Sequence, residues 1–167
     1  MLRPLALTLS MLLAAPATGQ DGCRLCYSDV AGKPGERPLA LEIFTDLNFA
    51  RLALAGRDGG SAEVDAASGS KRTGGGVVNL GGMPVTGRGR VTGEPLREVR
   101  IVLPSTVPMT APDGGSAELT GFTTDLPGRP TLDANGELTF SFGARLVLRG
   151  ARGGNYRGRI PITVEYN

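Results

Sequence analysis

From Leu39 onward the chain is built of short runs in which apolar residues take every second place, and each run is closed by glycine, proline or an acidic or amide residue beside glycine. A period of two places successive side chains on opposite faces of an extended strand, so these runs read as strands with one buried face. Leu39, Leu41 and Ile43 form one run, continued by Leu47 and Phe49 and then, on the other face, by Leu52 and Leu54. The change of face between Phe49 and Leu52 predicts a bulge or a crossing between sheets. Ser61 to Ala66, Gly76 to Leu80 and Val85 to Thr92 are shorter candidates, the first two separated by a Gly/Ser/Lys/Arg turn. Val99, Ile101 and Leu103 alternate up to Pro104. Asp113-Gly114-Gly115 reads as a hairpin turn into Leu119 and Phe122, and Asp133-Ala134-Asn135-Gly136 as another, opening a long strand of Leu138, Phe140, Phe142, Leu146 and Leu148. Strands recurring roughly every 8–16 residues, with turn chemistry between them and no helical period, predict an all-β antiparallel sandwich.

Composition agrees. The 26 glycines and 12 prolines of the 167 residues follow no collagen period, and the alternation between them is too regular for a disordered chain. The first residues read as an address. Arg3 gives a positive start, Leu5 to Ala15 an apolar run, and Ala15-Pro16-Ala17 a small-x-small cleavage pattern, with cleavage expected after Ala17 or Gly19. Residues 1–19 are thus expected to be a signal peptide, 20–37 a flexible N-terminal arm, and 38–167 a single folded domain. The protein is expected to be exported, to the periplasm or cell surface, with no membrane span in the mature chain. Gln20-Asp21-Gly22 before Cys23 is not the pattern of a lipid-attachment site.

Loss of Arg3 takes the formal charge from +2 to +1. Arg145, Arg149, Arg152, Arg157 and Arg159 cluster mildly, without the aromatic partners of a nucleic-acid surface, so no nucleic-acid partner is expected. They read as a solvated face, and Arg157 and Arg159 also as a guard against edge-to-edge pairing. Cys23-Arg24-Leu25-Cys26 is the only cysteine pair; in an oxidising compartment its default is a local disulfide, with a redox or partner-linking role as the alternative. Closing so short a loop restricts the unfolded chain by only ~2 kcal/mol. The chain has no histidine, which removes the Ser-His-Asp and Cys-His arrangements and the commonest metal ligand. Asp133 and Glu137 flank a turn and Glu63 and Asp65 lie two apart, neither a cleft-spanning carboxylate pair. Asp133-x-Asn135-Gly136 lacks the further oxygens of a calcium loop, and no helix follows Gly74-Gly75-Gly76 or Gly87-Arg88-Gly89-Arg90. No catalytic residue, metal or cofactor is expected.

The most specific signal is the last stretch, Gly154 to Asn167. Gly154, Tyr156, Gly158, Ile160, Ile162, Val164 and Tyr166 share one face of a predicted strand, and Arg157, Arg159, Pro161, Thr163 and Glu165 the other. Pro161 removes a ladder donor, which suits an edge. Gly154 stands fourteenth from the end and Tyr166 is penultimate. This spacing resembles the C-terminal signature of chaperone–usher pilus subunits, where the final strand borders an open groove.

A broader resemblance runs from Leu39 to Asn167. Asp46-Leu47-Asn48-Phe49, Gly81-Gly82, Val91-Thr92-Gly93-Glu94-Pro95, Ile101-Val102-Leu103-Pro104, Thr131-Leu132-Asp133-Ala134-Asn135-Gly136, Phe142-Gly143, Leu146 and Gly154-Asn155-Tyr156-Arg157-Gly158 follow one another in an order similar to domain-of-unknown-function family 4402, secreted pilin-like proteins of proteobacteria. Ala50 stands where that family usually has glycine. The resemblance implies an immunoglobulin-like, pilin-like sandwich. The expected function is a non-enzymatic secreted or cell-surface subunit docking through its C-terminal strand, with a periplasmic chaperone, an usher or neighbouring subunits as partners. The alternative is a monomeric binding module for carbohydrate or an envelope component, using loops at Ser68–Arg72 and Met83-Pro84.

Overall fold

The computed structural model describes residues 37–56, 58–112, 114–149 and 154–167. The expected signal peptide, most of the N-terminal arm with Cys23 and Cys26, and Asp113 of the expected hairpin turn lie outside the described residues. Within them the chain is all-β and its strands pair antiparallel. No helix of the described residues is long and apolar enough to cross a membrane. The strands are β1 Ala40–Thr45, β2 Leu52–Leu54, β3 Gly60–Val64, β4 Lys71–Gly75, β5 Val77–Asn79, β6 Gly87–Thr92, β7 Val99–Val102, β8 Thr106–Thr110, β9 Ser116–Thr124, β10 Glu137–Leu148 and β11 Thr163–Tyr166.

The twelve residues of β10 organise the rest. Its launching turn is tied by Asp133, whose Oδ1 accepts the N–H groups of Asn135 at 2.8 Å and Glu137 at 2.9 Å. Phe140, Phe142, Ala144, Leu146 and Leu148 then fall on one face, all buried. Phe142 pairs with Gly87 of β6 and with Thr124 of β9, so those strands occupy opposite edges of β10. Two residues on, Ala144 to Leu148 pair with Val64 to Gly60 of β3 while Arg145 to Val147 still pair with β9. One edge of β10 therefore carries β6 along its first half and β3 along its second. With β1 on β6, β4 on β3, and β8 on β9, this makes a curled seven-stranded sheet, a half-barrel. Two short sheets, β11–β7 and β2–β5, complete the described fold.

β10 also feeds both hydrophobic clusters. Phe140 and Phe142 pack with Leu39, Val91, Val99, Leu132 and Val164. Ala144, Leu146 and Leu148 pack with Val64, Val107 and Leu119. The two phenylalanine rings lie over their own cross-strand partners, Gly89 and Gly87. A Cβ on Gly89 would sit 2.8 Å from the Phe140 ring, and one on Gly87 would overlap the Phe142 ring. Only glycine leaves room for an aromatic to cover the strand beside it.

Two local expectations differ from the structure, and one strand, β8, has no counterpart among them. Lys71 to Gly75, expected as a turn, is strand β4, paired from Val64↔Lys71 to Gly60↔Gly75. Its residues beyond Lys71 are exposed, so it has no buried face to write an alternation. The turn itself is tighter: Asp65 Oδ1 accepts the Ser68 N–H at 2.8 Å, and Gly69 takes a φ of 66°. Among the described residues β8 ladders with β9 alone and meets the C-terminal segment only at the isolated Thr110–Arg157 bridge, and such an edge tolerates Pro108. The C-terminal run is a strand only from Thr163, because Pro161 interrupts it; Arg157 makes an isolated bridge to Thr110. The face change after Phe49 is a crossing: the chain leaves β1, bridges Asn48 to Val85, and joins β5 as β2. Ala50 turns that corner at a φ of 57°, with its N–H bonded to Asn48 Oδ1 at 2.7 Å.

Left-handed backbone costs a residue with a Cβ ~1–2 kcal/mol. Ala50→Gly is expected to raise stability by up to ~1 kcal/mol after the unfolded-state entropy is counted, whereas Gly87→Val should lower it by ~1–3 kcal/mol through overpacking. Urea midpoints of the two variants moving in the same direction would contradict this account.

Candidate functional site

Several strands ladder on one side only among the described residues, and two of them bear on the candidate site. β1 pairs on one side only, with β6, and β11 on one side only, with β7. Between the segments that carry these edges lies a groove of about 1410 Å³. Ile43, Leu47, Phe49, Leu52, Leu54 and Leu80 line one wall, Gly154, Tyr156, Gly158, Ile160 and Ile162 the other, and Met109, Leu119, Phe142, Leu146 and Leu148 contribute to the lining.

The groove widens from one end. Along β1 the inward row runs from Leu39, 2 % exposed, through half-buried Leu41 to Ile43, 40 % exposed. The opposite wall changes in step: Val164 is buried, Ile162 and Ile160 are half-buried, and Gly158 is exposed. Tyr166 holds the narrow end. Its hydroxyl donates to the Arg37 carbonyl at 2.6 Å and accepts the Glu94 N–H at 2.7 Å. The Arg97 guanidinium lies 5.0 Å from the centre of the Tyr166 ring. At the wide end Lys71 Nζ donates to the Phe49 carbonyl at 3.2 Å and the Gly81 carbonyl at 3.5 Å, fixing the Phe49 corner against the loop after β5.

Of the seven residues expected at a docking edge, Gly154, Tyr156, Gly158, Ile160 and Ile162 line the groove. Val164, expected to line it too, is part of the core, and Tyr166 is the latch. Glycine at 158 has a steric reason, since a Cβ there would run into Met109 Sδ. Pro161 lacks an N–H, and from Gly158 to Ile162 the described residues provide no ladder partner. The opposing wall was missing from the sequence reading. Its signal was the row Leu47, Phe49, Leu52 and Leu54, which alternates yet is shared between two sheets.

The other sequence candidates have local duties. Ser68 Oγ donates to Asp65 Oδ1 at 2.6 Å, and Lys71 is held by backbone carbonyls, so the Ser68–Arg72 loop directs much of its polarity inward. Met83 is 86 % exposed. Arg145 pairs with Glu63 at 2.6 Å and Arg149 with Glu118 at 3.7 Å. Among the described residues no three His, Cys, Asp or Glu side chains gather where a metal ion could be held. Asp65 and Asp133 have their carboxyls held below the ordinary value, Asp65 first by the Ser68 hydroxyl and Asp133 first by the Glu137 N–H. Neither lines the groove.

Two outcomes follow from this geometry. Tyr166→Phe keeps the ring but leaves two backbone groups without their partner, and is expected to lower unfolding stability by ~1–2 kcal/mol. An unchanged urea midpoint would remove the latch from the account. A depressed carboxyl contributes stability that is complete above the unfolded pKa of ~3.9 and is lost as pH falls through the folded value. Asp133→Asn should therefore flatten the acid limb of a stability–pH profile, and a limb of unaltered slope would show the turn carboxylate to be immaterial.

Residues 39–166 match the family model described as Domain of unknown function (DUF4402). No curated protein and no solved structure matches the chain.

Proposed function

We propose that this chain, which belongs to the DUF4402 family, is a non-enzymatic, exported structural subunit whose fold is an immunoglobulin-like, pilin-like sandwich short of one strand. A partner supplies that strand by insertion into the groove between β1 and the C-terminal segment. The observation that carries this reading is an apolar groove of about 1410 Å³ bordered by one-sided β1 at Ile43 and by the segment Gly158 to Ile162, which has no ladder partner among the described residues. An inserted strand would gain main-chain hydrogen bonds along such edges, and its alternate side chains would enter the groove. Each Val, Leu or Ile so covered contributes ~1.5–3 kcal/mol.

The chemistry of the chain favours structure over catalysis. It has no histidine, and the two carboxylates with shifted titration belong to turns. The leader-like Met1 to Gly19 supports export, and a chaperone, an usher or neighbouring subunits are the partner classes that fit strand insertion.

The test is stabilisation by an added strand. A valine-rich peptide that alternates apolar and polar residues should raise the melting temperature saturably, by the equivalent of ~2.7 kcal/mol at about a hundred times its Kd. Ile43→Asp and Leu80→Asp, at wall positions 40 % and 59 % exposed, should leave the free chain cooperatively folded and abolish most of that rise. A wild-type chain indifferent to every such peptide would sink the reading.

A further inference from the structure

The charges that border the groove identify what should fill it. On the outer faces of the sheets, arginines stand opposite glutamates in register on the neighbouring strand. Arg145 of β10 faces Glu63 of β3, which faces Arg72 of β4. Arg90 of β6 faces Glu42 of β1, and Arg100 of β7 faces Glu165 of β11. Two of these pairs close to ion pairs, Arg145–Glu63 at 2.6 Å and Arg100–Glu165 at 3.7 Å. Opposite charges directly across a ladder stabilise it, and like charges oppose it.

That arrangement is interrupted at the groove. Arg157 and Arg159 lie on the exposed outer face of the C-terminal segment, on either side of Gly158, and Arg51 borders the other wall. None of the three has an ion pair among the described residues. Asp46 is the one acidic residue of the groove lining. The backbone N–H and carbonyl of Arg157 are both bonded to Thr110, so that residue is bridged to β8. The position across the groove from Arg157 and Arg159 is where a further strand would place its outward residues. The rim thus carries three guanidinium groups against one carboxylate, two of them spaced to meet residues i and i+2 of a single strand.

Resting on the strand-insertion reading above, we infer that the occupant is an extended segment of a different protein in which Asp or Glu alternates with apolar residues, the acids outward against Arg157 and Arg159 and the apolar side chains inward. A second copy of this chain fits less well. In residues 20–37 the alternating set Cys23, Leu25 and Tyr27 would face inward, and Arg24 would then stand outward among the rim arginines.

The test measures the full chain against three labelled peptides by fluorescence anisotropy: an alternating Val/Glu heptapeptide, its Val/Lys counterpart, and a peptide of this chain's residues 20–37. The Val/Glu peptide is expected to bind roughly tenfold tighter than the Val/Lys peptide at low salt, since each opposed pair adds a modest increment. That ratio should shrink toward unity near ~1 M salt, where the screening length is only ~3 Å. Arg157→Glu combined with Arg159→Glu, both exposed side chains, should reverse the preference while leaving the melting temperature of the free chain nearly unchanged. Equal binding of the two synthetic peptides, or tighter binding of the residue 20–37 peptide, overturns the acidic-partner inference and leaves strand insertion standing. Failure of all three to bind overturns both.

Discussion

Everything in this fold depends on one edge of β10 serving two neighbours in succession. A strand has a single row of donors and acceptors on each side, and here one row is divided between β6 and β3 at the Phe142–Ala144 step. Two strands that follow each other along one edge cannot both continue past the junction without collision, so they diverge, and the sheet must curl. Gly143 sits at the junction, where a Cβ would run into the Val64 carbonyl. The face of β10 that follows the curl supplies apolar side chains to both clusters.

The groove is the geometric remainder of that curl. A sheet that closed fully would have no edges, whereas a half-closed one leaves a first and a last strand facing a gap. β1 is one end strand of the curled sheet, and facing it is the segment that leads into β11 of the separate β11–β7 sheet; Tyr166 joins the two at one end, and exposed Ile43 and half-buried Ile160 border the gap at the other. Apolar surface of this kind, bordered by main-chain groups without a ladder partner among the described residues, suits a partner that supplies both hydrogen bonds and side chains. In the proposed reading, the arginines on its rim would discourage indiscriminate pairing, and the same charge would give a basis for choosing among partners.

What could be read directly from the sequence was whatever one buried face enforces. The alternation of Leu138, Phe140 and Phe142, the Asp133–Gly136 turn and the inward row of Tyr156, Ile160 and Ile162 all appear in the structure where the period of two puts them. β4 was illegible because Arg72 to Gly75 bury nothing, and β8 because Pro108 interrupts a run that ladders with β9 alone. Half of the candidate site was legible for a similar reason. The C-terminal wall is one continuous alternating segment, but the facing wall passes from β1 through the Ala50 corner to β2, and no local pattern shows that two pieces of different sheets share one groove.

The Tyr166–Arg37 hydrogen bond joins residues separated by 129 positions, so it also bears on the order of assembly. Contacts of such separation require nearly the whole chain to be confined before they return any stabilisation, and topologies rich in them fold slowly. During synthesis from the N-terminus, β1 is made long before the strand that latches its start. For that interval the inward residues of β1 have neither their latch nor the Val164 side of their core, which makes the nascent chain a better substrate for a holding factor than the finished one.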